Sequence, residues 1–242
     1  MLAGMASSWP HTPRPETLHL PRGPARVRWR RNARARRVSL RIDARGGGVV
    51  VTLPPLAGRR AGVALLISHA EWVSACLAAL PGHIPFADGA RIPLDGRDHR
   101  IRHVGDGAER AWLDDGEIRC SGPAEAVPRL VTDLLRTEAR RRLAPLARRK
   151  ARLAGLRPRR ILVKDTHSRW GSCTADGTLA FCWRLLLAPG FVQDYVAAHE
   201  VAHLRHMDHG PGFWALVHRL SRHAGPAVAW LAREGPRLLR IG

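Results

Sequence analysis

The stretch His199-Glu200-Val201-Ala202-His203 constrains this chain more than any other. On an α-helix, residues four apart stand one above the other on a single face, so both imidazoles can grip one metal ion. Glu200 cannot join them as a ligand, but it can reach a water bound to that ion. Two neutral imidazoles beside a carboxylate are the parts that metal-assisted hydrolysis needs. The pattern is short, and the chain holds 13 histidines in 242 residues. At those frequencies chance alone yields an H-E-x-x-H with a probability of roughly 2%, so the surroundings must carry the case.

The surroundings predict a helix from about Phe191 to Met207, entered through Pro189-Gly190. Val192, Val196, Ala197, Val201 and Leu204 give it an apolar stripe, while Tyr195, His199 and His203 run along a second line. Stacked imidazoles and a carboxylate on a buried helix are costly without partners, and a metal ion removes that cost. Two histidines could supply a third ligand. His206 remains on the expected helix, three residues after His203. His209 precedes Gly210-Pro211-Gly212, which must turn the chain and can deliver a ligand from a direction the helix cannot. His209 is favoured, because tetrahedral zinc wants its three protein ligands spread around the ion with one position open. Asp208 is either a helix-ending side chain or an acceptor behind a ligand, and the sequence does not choose between them.

The rest of the chain reads as two parts. Val38–Asp43 and Val49–Leu53, split by Gly46-Gly47-Gly48, predict a hairpin. A single helix is expected from about Ala61 to Leu80, with Val63, Leu66, Trp72, Val73 and Leu77 on its apolar side. Short strands are expected at Arg91–Leu94, His99–Val104, Ala111–Leu113 and Glu117–Cys120. From Pro128 to Leu153 the pattern turns helical, and Pro145 predicts a kink or two shorter helices. Ile161–Val163 and Thr178–Leu187 read as strands. The fold class expected is α+β: a β-rich module over residues 25–122 carrying one helix, then a domain over 123–242 with helices on a small mixed or antiparallel sheet. Residues 1–24 are expected to form a disordered tail.

Composition narrows the function classes. The four cysteines, Cys76, Cys120, Cys173 and Cys182, form no C-x-x-C pair, which argues for free thiols over a zinc ribbon or a disulfide scaffold. No window approaches the ~18 apolar residues of a membrane span. Met1–Glu16 carries Pro10, Pro13 and Pro15 and lacks an apolar signal core, so a cytoplasmic location is expected. Net charge is +20, and all but Lys150 and Lys164 of the basic residues are arginine. Such charge suits a nucleic-acid partner or reflects a plain compositional bias. The helix face with Arg136, Arg140, Arg141, Arg142, Arg148 and Arg149 is the best single candidate for phosphate contacts, although a dense charged face is most often simply solvated.

The assembled motifs resemble the YgjP-like metallopeptidases, a zincin-type group distantly related to the SprT-like proteases. They are R-W-G-S-C at 169–173, W-R-L-x-L-A-P at 183–189, D-Y-V-x-x-H-E-x-x-H at 194–203, and His209 before a Gly/Pro turn and Phe213-Trp214. R-A-R-R-V-S-L-R at 34–41 resembles the group's N-terminal strand. Cys182 departs from the pattern, which commonly has Asn there. The absent cysteine ribbon separates the chain from those SprT relatives that carry one. The resemblance implies zinc on His199, His203 and His209, Glu200 as general base, and a peptide or protein substrate. Such an ion lowers the pKa of its water to about 7, and the carboxylate passes the proton to the leaving amine. A substrate backbone is expected along an edge strand, with Thr178–Leu185 the expected host; Trp170 and Tyr195 are candidate supports. Two alternatives stand beside the peptidase: a nucleic-acid-associated protein using the arginine-rich surface, and a domain in which zinc only stabilises the fold.

Overall fold

Ala25, Val27 and Trp29 alternate with arginines along one strand, and that alternation organises the first of two units. The computed structural model describes residues 15–166 and 169–242. The chain divides after Leu80, into units 1–80 and 81–242.

The first unit is a four-stranded sheet, β1 (Glu16–Leu20), β2 (Gly23–Arg31), β3 (Ser39–Asp43) and β4 (Gly48–Leu53), in the order β1-β2-β4-β3. β2 and β4 run parallel, and the outer pairs are antiparallel. Leu20, Ala25, Val27, Trp29, Val49, Val51 and Leu53 point to one face, where Leu66, Ala70 and Val73 cover them from α1 (Arg59–Ser68) and α2 (Ala70–Ala78). Gly62 lets α1 approach the sheet, since a Cβ there would stand 2.5 Å from the Trp29 ring.

Two expectations change here. The tail expected over residues 1–24 is strand at 16–20 and 23–24, while residues 1–14 lie outside the described part. The single helix expected over 61–80 is two helices, bent by 71° at His69. The Leu65 carbonyl accepts from the Ser68 hydroxyl and from the His69 ring as well as from the His69 amide. These local side-chain bonds compete with continued helix. The bend also leaves Trp72 46% exposed, off the apolar side on which it was expected.

The second unit opens with a mixed sheet, β5 (Arg91–Leu94), β6 (Arg97–His103), β7 (Arg110–Asp114) and β8 (Glu117–Ser121), ordered β5-β6-β8-β7. Its inward residues Ile92, Leu94, Ile101, Ile118 and Cys120 join the same core as the helices that follow. These strands therefore belong with the second unit, and the boundary expected near residue 122 falls at 80 instead. Then come α3 (Val127–Leu153), β9 (Arg160–Lys164), β10 (Gly171–Cys173), β11 (Thr178–Cys182), α4 (Gly190–Ala202), α5 (Pro211–Leu220) and α6 (Ala224–Leu239). β11 sits centrally in the order β10-β11-β9, antiparallel to β10 and parallel to β9. The fold is thus α+β, with six helices and three small mixed sheets among the described residues.

α3 runs unbroken through Pro145. That proline is exposed, so water can take the Arg141 carbonyl that loses its helical donor, and the helix persists without splitting. The strand expected to reach Leu187 ends at Cys182. Trp183–Leu187 tightens instead into a wholly buried 3₁₀ turn, because a short apolar run fits strand and buried helix equally well.

α3, α5 and α6 all pack against α4, as does β10. The second helix–turn–helix was not anticipated, although Pro211 at the first position of α5 suits a helix start. Lys150 of α3, almost fully buried, bridges Asp194 of α4 and the Leu220 carbonyl that closes α5. Its ammonium ties three helices where apolar contacts alone would fix no register. Among the described residues no single helix is long and apolar enough to cross a membrane.

Candidate active site

α4 is buried on nearly all sides: Val192, Gln193, Tyr195, Val196, Ala197, Ala198, Glu200, Val201 and Ala202 are all inside. Burial of the Val192, Val196 and Val201 side chains stabilises its position by about 1.5–3 kcal/mol each. The helix stops at Ala202, with His203 as its C-cap in right-handed helical backbone. His206 therefore lies beyond the helix on which it was expected, in irregular chain.

The chain between α4 and α5 folds back over the end of α4. This brings the side chains of His199, His203 and His209 together, each offering a ligand atom within 4.8 Å of the others. The Nε2 atoms of His199 and His209 stand 3.4 Å apart. The Nδ1–H of His203 donates to the carbonyl of His206 at 3.0 Å, which leaves Nε2 with its lone pair inward. In the matching tautomer of His199, Nδ1–H faces the Tyr195 hydroxyl oxygen at 3.5 Å. His206 thus serves through its backbone, and its ring rests against Gly212. Asp208 is exposed.

Burial, then the neighbouring His203 and His209, push the His199 pKa down to about 4. Burial also lowers that of His203, against the raising effect of its bond to the His206 carbonyl. Neutral imidazoles whose lone pairs converge repel one another unless a proton or a cation lies between them. The donor set therefore fits a metal ion: three converging imidazole nitrogens, with His199 and His203 held from behind by the Tyr195 hydroxyl and the His206 carbonyl.

Phe213 seals the underside. It is fully buried, and its ring centroid lies 4.9, 4.6 and 4.6 Å from those of His199, His203 and His209. Trp214 stands at the edge of the same cluster, 37% exposed, its centroid 6.2 Å from His199 and 6.0 Å from His209. The sequence pattern brought this Phe-Trp pair to notice without a role; its place against the histidines supplies one.

Glu200 points away from the imidazoles' stacking line and against β10. A Cβ on Gly171 would lie 2.4 Å from its Oε1, so only glycine at that position leaves room for the carboxyl. Burial drives the Glu200 pKa up to about 7, and the Arg169 guanidinium pulls it partly back. Cys173, two residues from Gly171, is pushed up to about 11 by burial and by the charges of Glu200 and Asp176. It is a thiol, not a nucleophile in waiting. Trp170 packs against Gly235 of α6 and takes no place in the histidine cluster. Cys182 is buried, its thiol turned to the Thr166 carbonyl. The R-W-G-S-C segment thus matters chiefly through its glycine and its arginine.

A family model described as the YgjP-like metallopeptidase domain matches residues 36–234. The chain belongs to the YgjP-like family. The match spans β3 through most of α6, and so contains every residue of the histidine cluster, Glu200 and Gly171. No curated protein matches this YgjP-like chain. Among solved structures, the metallopeptidase zymogen of Pyrococcus abyssi abylysin is similar over 38% of this chain and 93% of that one. The identity is 16% and the TM-score 0.34, too slight to bear on the fold or the site. Membership makes the YgjP-like chain a metallopeptidase domain, which implies a metal ion and a peptide or protein substrate.

Proposed function

We propose that this protein is a zinc-dependent peptidase, with His199, His203 and His209 holding the ion and Glu200 acting as general base. The observation that carries the reading is the convergence of three imidazoles beside a buried carboxyl on the helix that carries two of them. Zinc suits nitrogen ligands and keeps its full charge on three uncharged ones, so when bound it acidifies a coordinated water and polarises a peptide carbonyl.

The chain's own groups supply the rest. Glu200 sits in a pocket that favours its protonated form, and a cation at the imidazoles favours the carboxylate, so the group is poised to take and return a proton. Its Oε atoms accept the proton of the attacking water and deliver it to the leaving amine nitrogen. His203 and His199 are held in one tautomer by the His206 carbonyl and the Tyr195 hydroxyl.

The substrate backbone is expected beside β10. β11, expected to host it, is the middle strand, with both its edges already paired. β10 is the edge that abuts Glu200 through Gly171, and an edge strand leaves backbone groups free for an extended peptide. Glu200→Gln tests the reading: zinc content should be unchanged and hydrolysis of an unfolded protein substrate abolished. Retained hydrolysis in that variant would refute the role of Glu200, and a metal other than zinc in the active enzyme would refute the cofactor.

A further inference from the structure

We propose that the open face of the first sheet, carrying Arg26, Arg28, Arg30 and Arg41, binds the phosphate backbone of duplex nucleic acid. The covered face of this sheet takes Val27, Trp29, Val51 and Leu40, so the alternate residues face outward. By register, Arg28 of β2, Val50 of β4 and Arg41 of β3 form one row across the sheet, with Arg30, Thr52 and Ser39 in the next. Val50 is only 4% exposed although it lies outside the apolar cluster that α1 and α2 close, as expected where arginine stems lie along the sheet and hold their heads in water.

Of the four arginines on this face, only Arg28 meets an acidic partner among the described residues, Asp43. Residues 1–80 hold thirteen arginines against three acidic residues, Glu16, Asp43 and Glu71. All three are engaged: Glu16 with Arg59 and Trp29, Glu71 with Arg22, Asp43 with Arg28 and the Gly46 amide. The guanidiniums of Arg26, Arg30 and Arg41 have no ion pair or hydrogen bond among the described residues. The helix face of α3 differs. There Arg141 and Arg142 pair with Glu138, and Arg136 with Asp165. Half of the arginines that made α3 the expected phosphate stripe are thus already answered, and the sheet takes its place.

Spacing and chemistry choose the occupant. Alternate residues on a strand stand about 6.7 Å apart, twice the 3.4 Å rise between phosphates of one strand of a duplex. Arginine forks match phosphate oxygens, and among the described residues no Phe, Tyr or Trp stands on this face to stack an unpaired base. The contacts are therefore with backbone phosphates and independent of sequence. This inference stands whether or not the peptidase reading holds.

The test is binding of the full-length protein to a short labelled DNA duplex across a salt series. Four phosphate contacts give a log–log salt slope of about −3.6, a fall in affinity of roughly a hundredfold from about 50 to about 200 mM salt. Arg26→Gln/Arg30→Gln/Arg41→Gln should flatten that slope by about 2.7. The lysine triple at the same positions should keep most of it, which separates lost contacts from lost folding. Arg140→Gln/Arg148→Gln/Arg149→Gln, which removes the same charge from α3, should leave the slope alone. Equal losses from both glutamine triples would overturn the proposal in favour of diffuse charge. So would absence of duplex binding, or tighter binding to polyglutamate than to DNA at matched charge.

Discussion

The Glu200 carboxyl fills the space that a side chain at residue 171 would need: a Cβ there would stand 2.4 Å from Oε1 and 2.5 Å from Cγ. The proposed base and the glycine of an edge strand are thus two halves of one fit. Gly171→Ala should force the carboxyl out of its pocket without touching the imidazoles. A misplacement of about 1 Å is enough to lower kcat by about a hundredfold. Metal stoichiometry, measured on the same preparation, should stay at the wild-type value. Joint loss of metal and activity would show that residue 171 supports the ligand helix and not the base.

The proposed ligand set separates His209 from His206. His209→Ala should abolish tight metal binding, because one of three converging nitrogens is lost. His206→Ala should retain the metal, since its contribution to His203 comes through the backbone carbonyl, which alanine keeps. Elemental analysis of both variants beside the wild type decides it, and metal loss confined to the His206 variant would reverse the assignment.

Phe213 packs beneath all three imidazoles and has no exposed surface. Phe213→Ala should lower unfolding stability by about 3–5 kcal/mol, the cost of a large aromatic removed from a close-packed core. Denaturant melts of the metal-stripped protein measure this directly. A loss below about 1 kcal/mol would mean that the surroundings collapse into the space.

The β10–β11 turn carries a pH dependence of its own. Asp176 accepts first from the Thr174 hydroxyl, then from the Thr178 amide and hydroxyl, with Arg159 nearby, and its pKa falls from 3.8 to about 2. Between those values the unfolded chain binds the proton and the folded one does not. The stabilisation is therefore complete above about pH 4 and is lost as pH falls towards 2. NMR titration of the carboxyl should find the lowered value. In Asp176→Asn the stability slope over that acid window should shrink; an unchanged slope would assign it to other carboxylates.

Much of the candidate site was legible because its signals are local. His199 and His203 follow from helical spacing alone, and His209 from the turn that Gly210-Pro211-Gly212 imposes. β5 falls at the residues expected, bounded by a Gly-Ala pair and an Asp-Gly turn. What escaped depends on contacts distant in sequence. Nothing near Gly171 announces that Glu200 will fill its side-chain space. The strands at 91–121 look like a continuation of the first sheet until their apolar faces are seen in the core of α3 and α4. The break at His69 escaped for a different reason: the apolar spacing continues across it, and only the hydrogen bonds to the Leu65 carbonyl interrupt the backbone.

The three imidazoles lie within eleven consecutive residues, 199–209, whereas Glu200 depends on Gly171, 29 positions upstream. Metal retention and catalytic competence are therefore separable in time. Closing the short loop between the imidazoles costs less chain entropy than bringing β10 against α4, so it forms earlier. On refolding, metal binding by the proposed ligands should therefore return before hydrolysis does.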